Sequence, residues 1–505
     1  MAKHKRLSQL LKIVGYTDTL AKQQTVTGLA IDSREVQAGD LFVALAGHQQ
    51  HGFQFAQQAE QQGAVAILAE TPLSQELSEQ KVNIPVYEID QLSPQLGVLA
   101  AHFFDHPSEQ IKVVAVTGTN GKTSTAWLLV QALQQLNVNA AYMGTLGVGT
   151  LDSLEKLANT TPSALHIQAH LADLVSRGFD MVCLEASSHA LVQGRLNGLN
   201  IDTAILTNIS QDHLDYHHTM TAYAEAKQIL FTDFKLRHAI INSDDEYGQH
   251  WLQAGVNADT ISIYGQTQKT AQHHHSAHHV ELKDAGLAFQ WQHNEQYYPV
   301  SSSLLGRFNV DNLLAVLASL IGIDQDEMNH GDMDLSAEHI SQTMAQLTPV
   351  PGRMNMIRLT HKPVTVVIDF AHTPDALAQV LKALSAHCQH DLWCVFGCGG
   401  DRDKSKRPQM GQIAESFAQH IIITDDNPRF ESADEIAADI AQGMSRSPLI
   451  IHNRKAAIER ALQQSAKGDV ILIAGKGHET TQQINDQYIE FNDFQVVQNW
   501  QEAAA

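Results

Sequence analysis

The chain has 505 residues, 43% of them apolar, and a formal net charge of −22. That length exceeds what one hydrophobic core organises and predicts roughly two to four domains. The acidic balance argues against nucleic acid or an anionic membrane as the main partner, but it leaves room for basic loops that meet small anions. No long apolar run occurs, so no membrane span is expected. Lys3-His4-Lys5-Arg6 leads into an amphipathic stretch, not an apolar signal core. Cys183, Cys388, Cys394 and Cys398 form no Cys-x-x-Cys pair. They read as reduced thiols, which points to the cytoplasm.

In chain order, Asp40–Leu45 and Ala64–Leu68 read as strands around a helix over Phe53–Gln62. The low-pattern stretch Pro85–Pro94 reads as a linker closing an N-terminal unit, residues 1–90. Residues 91–348 are expected to form an α/β domain. In it, Val113–Val116 reads as a buried strand, Thr117–Thr123 as a Gly-rich turn and Thr125–Leu136 as a helix. Further strands fall at Met181–Glu185 and Ala204–Asn208, and Tyr223–Leu230 reads as helix. His273–His279 reads as a hydrophilic loop tip with solvated histidines, in preference to a metal site. Pro349-Val350-Pro351-Gly352 marks a second boundary. In residues 349–505, strands at Val364–Asp369, Leu392–Phe396, His420–Thr424, Leu449–His452 and Asp469–Ala474 alternate with helices, which predicts a doubly wound, mainly parallel sheet.

Chemistry concentrates where strands end. Gly118-Thr119-Asn120-Gly121-Lys122-Thr123-Ser124 can turn backbone N–H groups onto a polyphosphate. Lys122 would sit near the outer phosphates, and the Thr123 hydroxyl could ligate Mg²⁺. The first glycine lies two residues closer to Gly-Lys-Thr than in the standard phosphate loop. Glu185 ends an apolar strand, a suitable place for a carboxylate that reaches Mg²⁺. Asp212 and His213 follow the next strand. Mg²⁺ prefers oxygen, so for His213 a ligand and a hydrogen-bonded loop histidine both stay open. Lys227, on its helix pattern, is a solvated lysine. In the last domain, Gly397–Arg407, Asp425–Arg429 and Gly475–Glu479 follow three strands and should line one crevice. Its charges of both signs suit a zwitterion such as an amino acid.

These residues together resemble the Mur ligases, ATP-dependent amino-acid ligases of peptidoglycan precursor synthesis. The resemblance is carried by Ile31-Asp32-Ser33-Arg34, Gly118–Thr123, Asn159-Thr160-Thr161-Pro162, Glu185-Ala186-Ser187-Ser188-His189, Asp212–His217, Gly306-Arg307-Phe308-Asn309, Pro351-Gly352-Arg353 and Asp369–Pro374. It covers essentially the whole chain and accounts for the short phosphate loop. It implies an α/β fold of three domains: a UDP-substrate-binding N-terminal domain, a central P-loop-type ATPase and a C-terminal Rossmann-like doubly wound sheet. It also implies activation of a substrate carboxylate by ATP with Mg²⁺, then attack by an amine on the acyl phosphate.

Carried over by residue, the resemblance places the UDP-substrate on Ile31, Ser33, His48, Gln49 and Gln50. Its muramoyl-peptide part falls on Asn159, Thr160, Thr161, Ser187, Gln193 and Arg195. ATP falls on Gly118–Ser124, Asn309 and Arg353. Thr123, Glu185, His213 and a carbamylated Lys227 become the Mg²⁺ set. Lys122, Lys227, His213 and Asp369 become the catalytic set, with Phe370 standing where tyrosine is usual. Arg402, Asp426, Asn427, Pro428, Arg429, Gly475 and Glu479 match the third-substrate site, and Asp-Asn-Pro-Arg is similar to the family's diaminopimelate signature. Arg429 suits the second carboxylate of diaminopimelate through a bidentate pair. The implied substrates are therefore UDP-N-acetylmuramoyl-L-alanyl-D-glutamate and meso-diaminopimelate, used by a cytoplasmic monomer. Two sister activities stand beside this reading. A lysine-adding ligase would lack Arg429, and a folylpolyglutamate synthetase would lack the elements around Ser33 and His48. A phosphate-loop nucleotide switch is the non-enzymatic alternative.

Overall fold

The computed structural model describes residues 4–17, 21, 23–47, 50–267, 273–283, 286–323, 335–359, 361–385, 388 and 390–503. Near the N-terminus, Gly28–Ala30, Asp40–Ala44, Ala66–Thr71 and Val86–Asp90 form a parallel sheet in chain order. Leu41, Val43, Leu68, Tyr87 and Ile89 pack with Leu92, Leu96 and Leu99 of the Leu92–Phe103 helix. Phe42, Ile67 and Ala69 pack with Phe53, Ala56 and Ala59. The linker expected over 85–94 is therefore a strand followed by a helix start. Val86–Asp90 is an edge strand that buries only Tyr87 and Ile89, so its alternation is short. Pro94 lies in the first helical turn, where its missing N–H costs little.

Among the described residues the central sheet has eleven strands. Lys112–Thr117 lies in its middle, parallel to Met181–Glu185 on one side and Thr203–Leu206 on the other. The helices Lys122–Gln135 and Phe308–Ile321 cover one face, and Ala164–Ser176, Met220–Thr232 and Glu246–Ala254 the other. The three middle strands end at one edge, so the loops after Thr117, Glu185 and Leu206 meet there.

The histidine-rich segment is not a loop tip. His273–Lys283 is a strand, parallel to Ala258–Tyr264 and antiparallel to Gly286–His293. His275 is fully buried and accepts a hydrogen bond from Trp291 Nε1 at 3.3 Å. Its ring stacks on Trp291 and His293, with centroids 5.8 and 4.9 Å away. Neutral imidazole serves here as flat aromatic packing, which a polar sequence pattern conceals.

The C-terminal sheet runs Asn355–Arg358, Thr365–Asp369, Val470–Ala474, Leu392–Phe396, His420–Ile423, Leu449–Ile450. Only its first pair is antiparallel. The helices Pro374–Ser385, Lys406–Phe417 and Ala433–Ala441 cover one face. Arg454–Gln464 and Asp493–Ala503 cover the other. Those last two are joined by a fully buried pair, with Arg454 Nε and Nη2 each 2.8 Å from the Asp493 carboxylate. The doubly wound sheet is as expected, with strand ends shifted by a residue or two.

Candidate active site

The phosphate loop is shaped by close approach. Gly118 has φ +146°, and a Cβ there would lie 1.9 Å from Thr207 Oγ1. Gly121, with φ +85°, caps the helix, which starts at Lys122, three residues earlier than expected. Lys122 and Thr123 thus stand in a first turn whose N–H groups and dipole favour an anion. Lys122 Nζ donates to the Gly118 and Thr119 carbonyls, each at 2.8 Å. Burial lowers the Lys122 pKa below its ordinary value.

Around this loop the acidic and basic groups are set by burial. Glu185 is fully buried and accepts from Thr123 Oγ1 at 2.9 Å, Thr145 N at 2.9 Å and the Tyr142 hydroxyl. Lys227 is no solvated lysine. It is 1% exposed, donates to the Gly118 carbonyl at 2.8 Å and lies 4.5 Å over the Tyr223 ring. Burial, with Lys122 adding repulsion, holds its amine well below the ordinary lysine range. Asp212 lies 3.5 Å from His213, 3.8 Å from His372 and 3.7 Å from Lys406. Burial would raise its carboxyl, but these three neighbours hold it down. Burial also pushes His213 to about 3 and His372 to about 4, so both rings are neutral at neutral pH. Among the described residues, no three His, Cys, Asp or Glu side chains converge as a closed metal cage. The hydroxyl–carboxylate pair Thr123–Glu185 instead suits a hard cation that keeps water and phosphate ligands.

Asp369 ends the Thr365–Asp369 strand and accepts from Met354 N and Ala371 N, each at 2.7 Å. Burial raises its pKa against the pull of Arg353. Asp369 thereby pins the residue next to Arg353, whose guanidinium covers the Phe370 ring at 4.5 Å and reaches Thr123 Oγ1 at 3.4 Å. The phenylalanine at the tyrosine position keeps this stacking face.

A cavity of about 900 Å³ joins the two sheet edges. Lys122, Thr123, Glu185, His213, Lys227, Arg353 and Asp369 line it from the phosphate side, and Arg402, Asp426, Asn427, Arg429, Gly475 and Glu479 from the crevice side. Asn427 Nδ2 donates to Glu479 at 2.9 Å, and Arg429 Nη1 donates to the Gly400 carbonyl at 2.8 Å. Burial and the nearby Arg402 lower the Arg429 pKa. Among the described residues, Asp426 Oδ2 is buried without a hydrogen-bond partner. Pro428 shapes the turn beneath and is not part of the lining. Asn309 lies in an adjoining cavity of about 450 Å³, with Leu305, Phe308, Val350 and Arg353.

Of the residues expected for the UDP-substrate, Thr160 and Ser187 line the large cavity. Thr161 accepts from Ser187 N, and Arg195 joins Gln193 at 2.7 Å to the Thr161 carbonyl at 2.7 Å. Asn159 is exposed. Ile31, Ser33 and Gln50 stand at the carboxyl edge of the N-terminal sheet, outside that cavity, with Ser33 Oγ donating to Gln58 at 2.9 Å. His48 and Gln49 fall outside the described residues. The sequence reading passed over Tyr142 and Thr145, and it named Lys406 and Lys476 only within the crevice loops, without a role of their own. Lys476 is fully buried and bridges Asn427 at 3.0 Å and Glu479 at 2.6 Å. Its place in Gly475-Lys476-Gly477 at a strand end marks it for the crevice, but its bridging of two loops is set by tertiary packing.

A glycine-rich strand-to-helix turn that faces a crevice with charges of both signs across one cavity is a layout that suits a nucleotide-dependent ligase. Residues 25–104 match the model described as Mur ligase family, catalytic domain; residues 116–320 match Mur ligase middle domain; residues 352–477 match Mur ligase, glutamate ligase domain. The chain belongs to the Mur ligase family, whose members are ATP-dependent ligases. A Xanthomonas campestris protein named UDP-N-acetylmuramoyl-L-alanyl-D-glutamate–2,6-diaminopimelate ligase is 43% identical over 501 residues, covering 98% of this chain and 97% of its own. A Xylella fastidiosa protein of the same name is 44% identical over 481 residues, 94% of each chain. A solved structure of a ligase of that name superposes with a TM-score of 0.67 at 36% identity, covering 99% of both chains. Among the described residues no helix is long and apolar enough to cross a membrane.

Proposed function

We propose that this protein joins meso-2,6-diaminopimelate to UDP-N-acetylmuramoyl-L-alanyl-D-glutamate with ATP, a step of peptidoglycan precursor synthesis. The observation that carries the reading is the shared cavity. Arg402 and Arg429 flank one end with Asp426 and Glu479 close by, and the phosphate loop closes the other.

The reaction has two displacements. A carboxylate oxygen of the UDP-linked dipeptide attacks the terminal phosphorus of ATP, and ADP leaves. The neutral amine of diaminopimelate then attacks the carbonyl carbon of the acyl phosphate, the C–O bond to phosphate breaks, inorganic phosphate leaves, and the nitrogen gives up one proton as the amide forms. Lys122 and the helix N-terminus hold the phosphates and oppose charge that develops on them. Asn309 and Arg353 hold ATP, with the apolar cavity beside Leu305 taking its base. Thr123, Glu185, His213 and a carbamate on Lys227 would hold Mg²⁺, which neutralises phosphate charge when bound. A neutral amine is the form that takes up CO₂, and burial of Lys227 favours that form. Asp369 keeps Arg353 in place.

The N-terminal sheet, with Ile31, Ser33 and the loop through Gln50, takes the UDP end. The muramoyl peptide runs past Thr160, Thr161, Ser187, Gln193 and Arg195 toward the phosphate loop. Arg429 and Arg402 pair with the second carboxylate of diaminopimelate, and Asp426 and Glu479 accept from its distal ammonium. Bound lysine would leave those guanidinium groups without an anion, a strong penalty in a partly desolvated crevice. The protein acts as a cytoplasmic monomer. ADP release is measured with the UDP-linked dipeptide and a panel of amino acids. Release that needs both the dipeptide and meso-diaminopimelate supports the reading. Efficient use of lysine makes it the lysine-adding enzyme, and release with neither substrate makes it a nucleotide switch.

A further inference from the structure

We propose that Glu431, through its ion pair with buried Arg407, is a positioning residue that sets the spacing of Arg402 and Arg429, and so makes a second carboxylate on the amino acid a condition of good binding. The inference rests on the diaminopimelate reading above.

The two arginines come from different loops, and those loops are tied together at one carboxylate. Glu431 Oε1 accepts from the Asp401 backbone N–H at 2.5 Å, next to Arg402. Both Glu431 oxygens accept from Arg407 Nη2, at 3.1 and 3.0 Å, and Oε2 also pairs with Lys404 at 3.0 Å. Arg407 is fully buried. Its other anionic partner is Asp439 at 2.9 Å, and it also reaches the Gly399 carbonyl at 3.3 Å. A buried guanidinium fixes its partners firmly, because leaving it unpaired is costly.

The tie is reinforced residue by residue. Gly400 N donates to the Asn427 carbonyl at 2.9 Å, and Phe430 N donates to the Asp401 carboxylate at 3.2 Å. A Cβ on Gly400 would lie 1.9 Å from the Pro428 carbonyl, so the loops touch. Asp401 and Arg429 both have φ +52°, a left-handed backbone that persists only where surroundings hold it. Arg429 is held from its other side, its N–H donating to the Gln483 carbonyl and its carbonyl accepting from Asn485 N. Glu431 therefore governs where the Arg402 loop sits relative to an already fixed Arg429. Between them lies Gly399, where a Cβ would be 2.8 Å from Arg429 Nη1 and 3.8 Å from Arg402 Cγ.

Two guanidinium groups held this close repel one another until an anion enters. Only a ligand with a carboxylate at that end feels their spacing. The phosphoryl chemistry lies at the other sheet edge and does not depend on it. The test measures kcat and KM for meso-diaminopimelate, lysine, ATP and the UDP-linked dipeptide in wild type, Glu431→Gln and Asp439→Asn. Glu431→Gln is expected to raise KM for meso-diaminopimelate about tenfold or more, with kcat within about twofold and the other KM values unchanged. The preference over lysine then falls by the same factor. Asp439→Asn, which touches Arg407 away from the Asp401 loop, is expected to lower thermal stability and leave the preference intact. If Glu431→Gln does not fold, Glu431→Asp, which keeps a carboxylate for Arg407 but is one methylene too short to hold the Asp401 N–H as well, is expected to raise the same single KM. An unchanged preference in the folded variant, or a parallel rise in every KM, overturns the proposal. A wild type that does not use meso-diaminopimelate overturns instead the reading on which it rests.

Discussion

Replacing Lys227 with methionine separates folding from catalysis. Lys227 is 1% exposed, and among the described residues its amine donates one hydrogen bond, to the Gly118 carbonyl at 2.8 Å. That carbonyl also accepts from Lys122 at 2.8 Å, so the substitution orphans nothing. Losing one hydrogen bond from a neutral amine costs about 1 kcal/mol. Methionine refills the volume with little strain, typically under about 1.5 kcal/mol. We expect the melting temperature to stay close to wild type. The effect on turnover should be of another order. If a carbamate at Lys227 supplies an anion to the phosphoryl-transfer centre, its loss raises the barrier by about 3 kcal/mol or more, at least a hundredfold in rate. The assay is ADP release at saturating substrates, run beside thermal denaturation, with wild type also measured in CO₂-depleted buffer before and after bicarbonate is added. Added short carboxylates are expected to restore part of the variant's activity. Near-normal turnover in Lys227→Met, or a wild type indifferent to CO₂, refutes the reasoning.

Arg429→Ala should lower kcat/KM for meso-diaminopimelate by about 2–4 kcal/mol and barely change that for lysine; a constant ratio between the two would show that the arginine does not read the second carboxylate. Asp493→Asn leaves Arg454 charged and buried without its partner, so unfolding should become easier by about 3–5 kcal/mol, measured by denaturant titration of the variant. Burial holds His238 down to about 4, against an ordinary 6.5, so the unfolded chain takes up its proton first. The stability it permits is intact above about pH 6.5 and is lost as pH falls toward 4, a difference of about 2 kcal/mol between pH 7 and pH 5. His238→Gln should flatten that part of the pH–stability curve, and an unchanged slope would locate the acid sensitivity elsewhere.

What is legible in a sequence is what is local. A strand, a glycine turn and a helix start follow one another at Val113–Thr123, so the phosphate loop can be read directly. Glu185 and the loops after Phe396, Thr424 and Ala474 are legible for the same reason, as unusual residues at the ends of apolar strands. Lys227 is not. Its helix pattern describes a solvated side chain, and the carbonyl that takes its hydrogen bond belongs to Gly118, 109 positions away. The cluster around Asp212 is likewise invisible, because Lys406 and His372 reach it from another sheet. The His273–Lys283 strand misleads for a chemical reason: neutral imidazole packs like an aromatic ring but counts as polar in any hydropathy pattern.

The seam between the central and C-terminal sheets is built from two materials. At one end Leu305 and Phe308 pack into the C-terminal apolar cluster beside Met354. Across the cavity mouth the contacts are polar: Asn120 to Asp375 at 3.0 Å, Gln211 to Ser405 at 3.0 Å, Lys406 to Asp212 at 3.7 Å. Parting the mouth would uncover little hydrocarbon, so it should scarcely change the heat capacity, whereas parting the other end would. Each polar contact contributes about 1 kcal/mol, and salt screens the ionic one little while it stays buried. The seam is thus greased at one end and clasped by a few polar contacts at the other, so opening that starts at the mouth should leave the hydrocarbon end joined and carry little heat-capacity change.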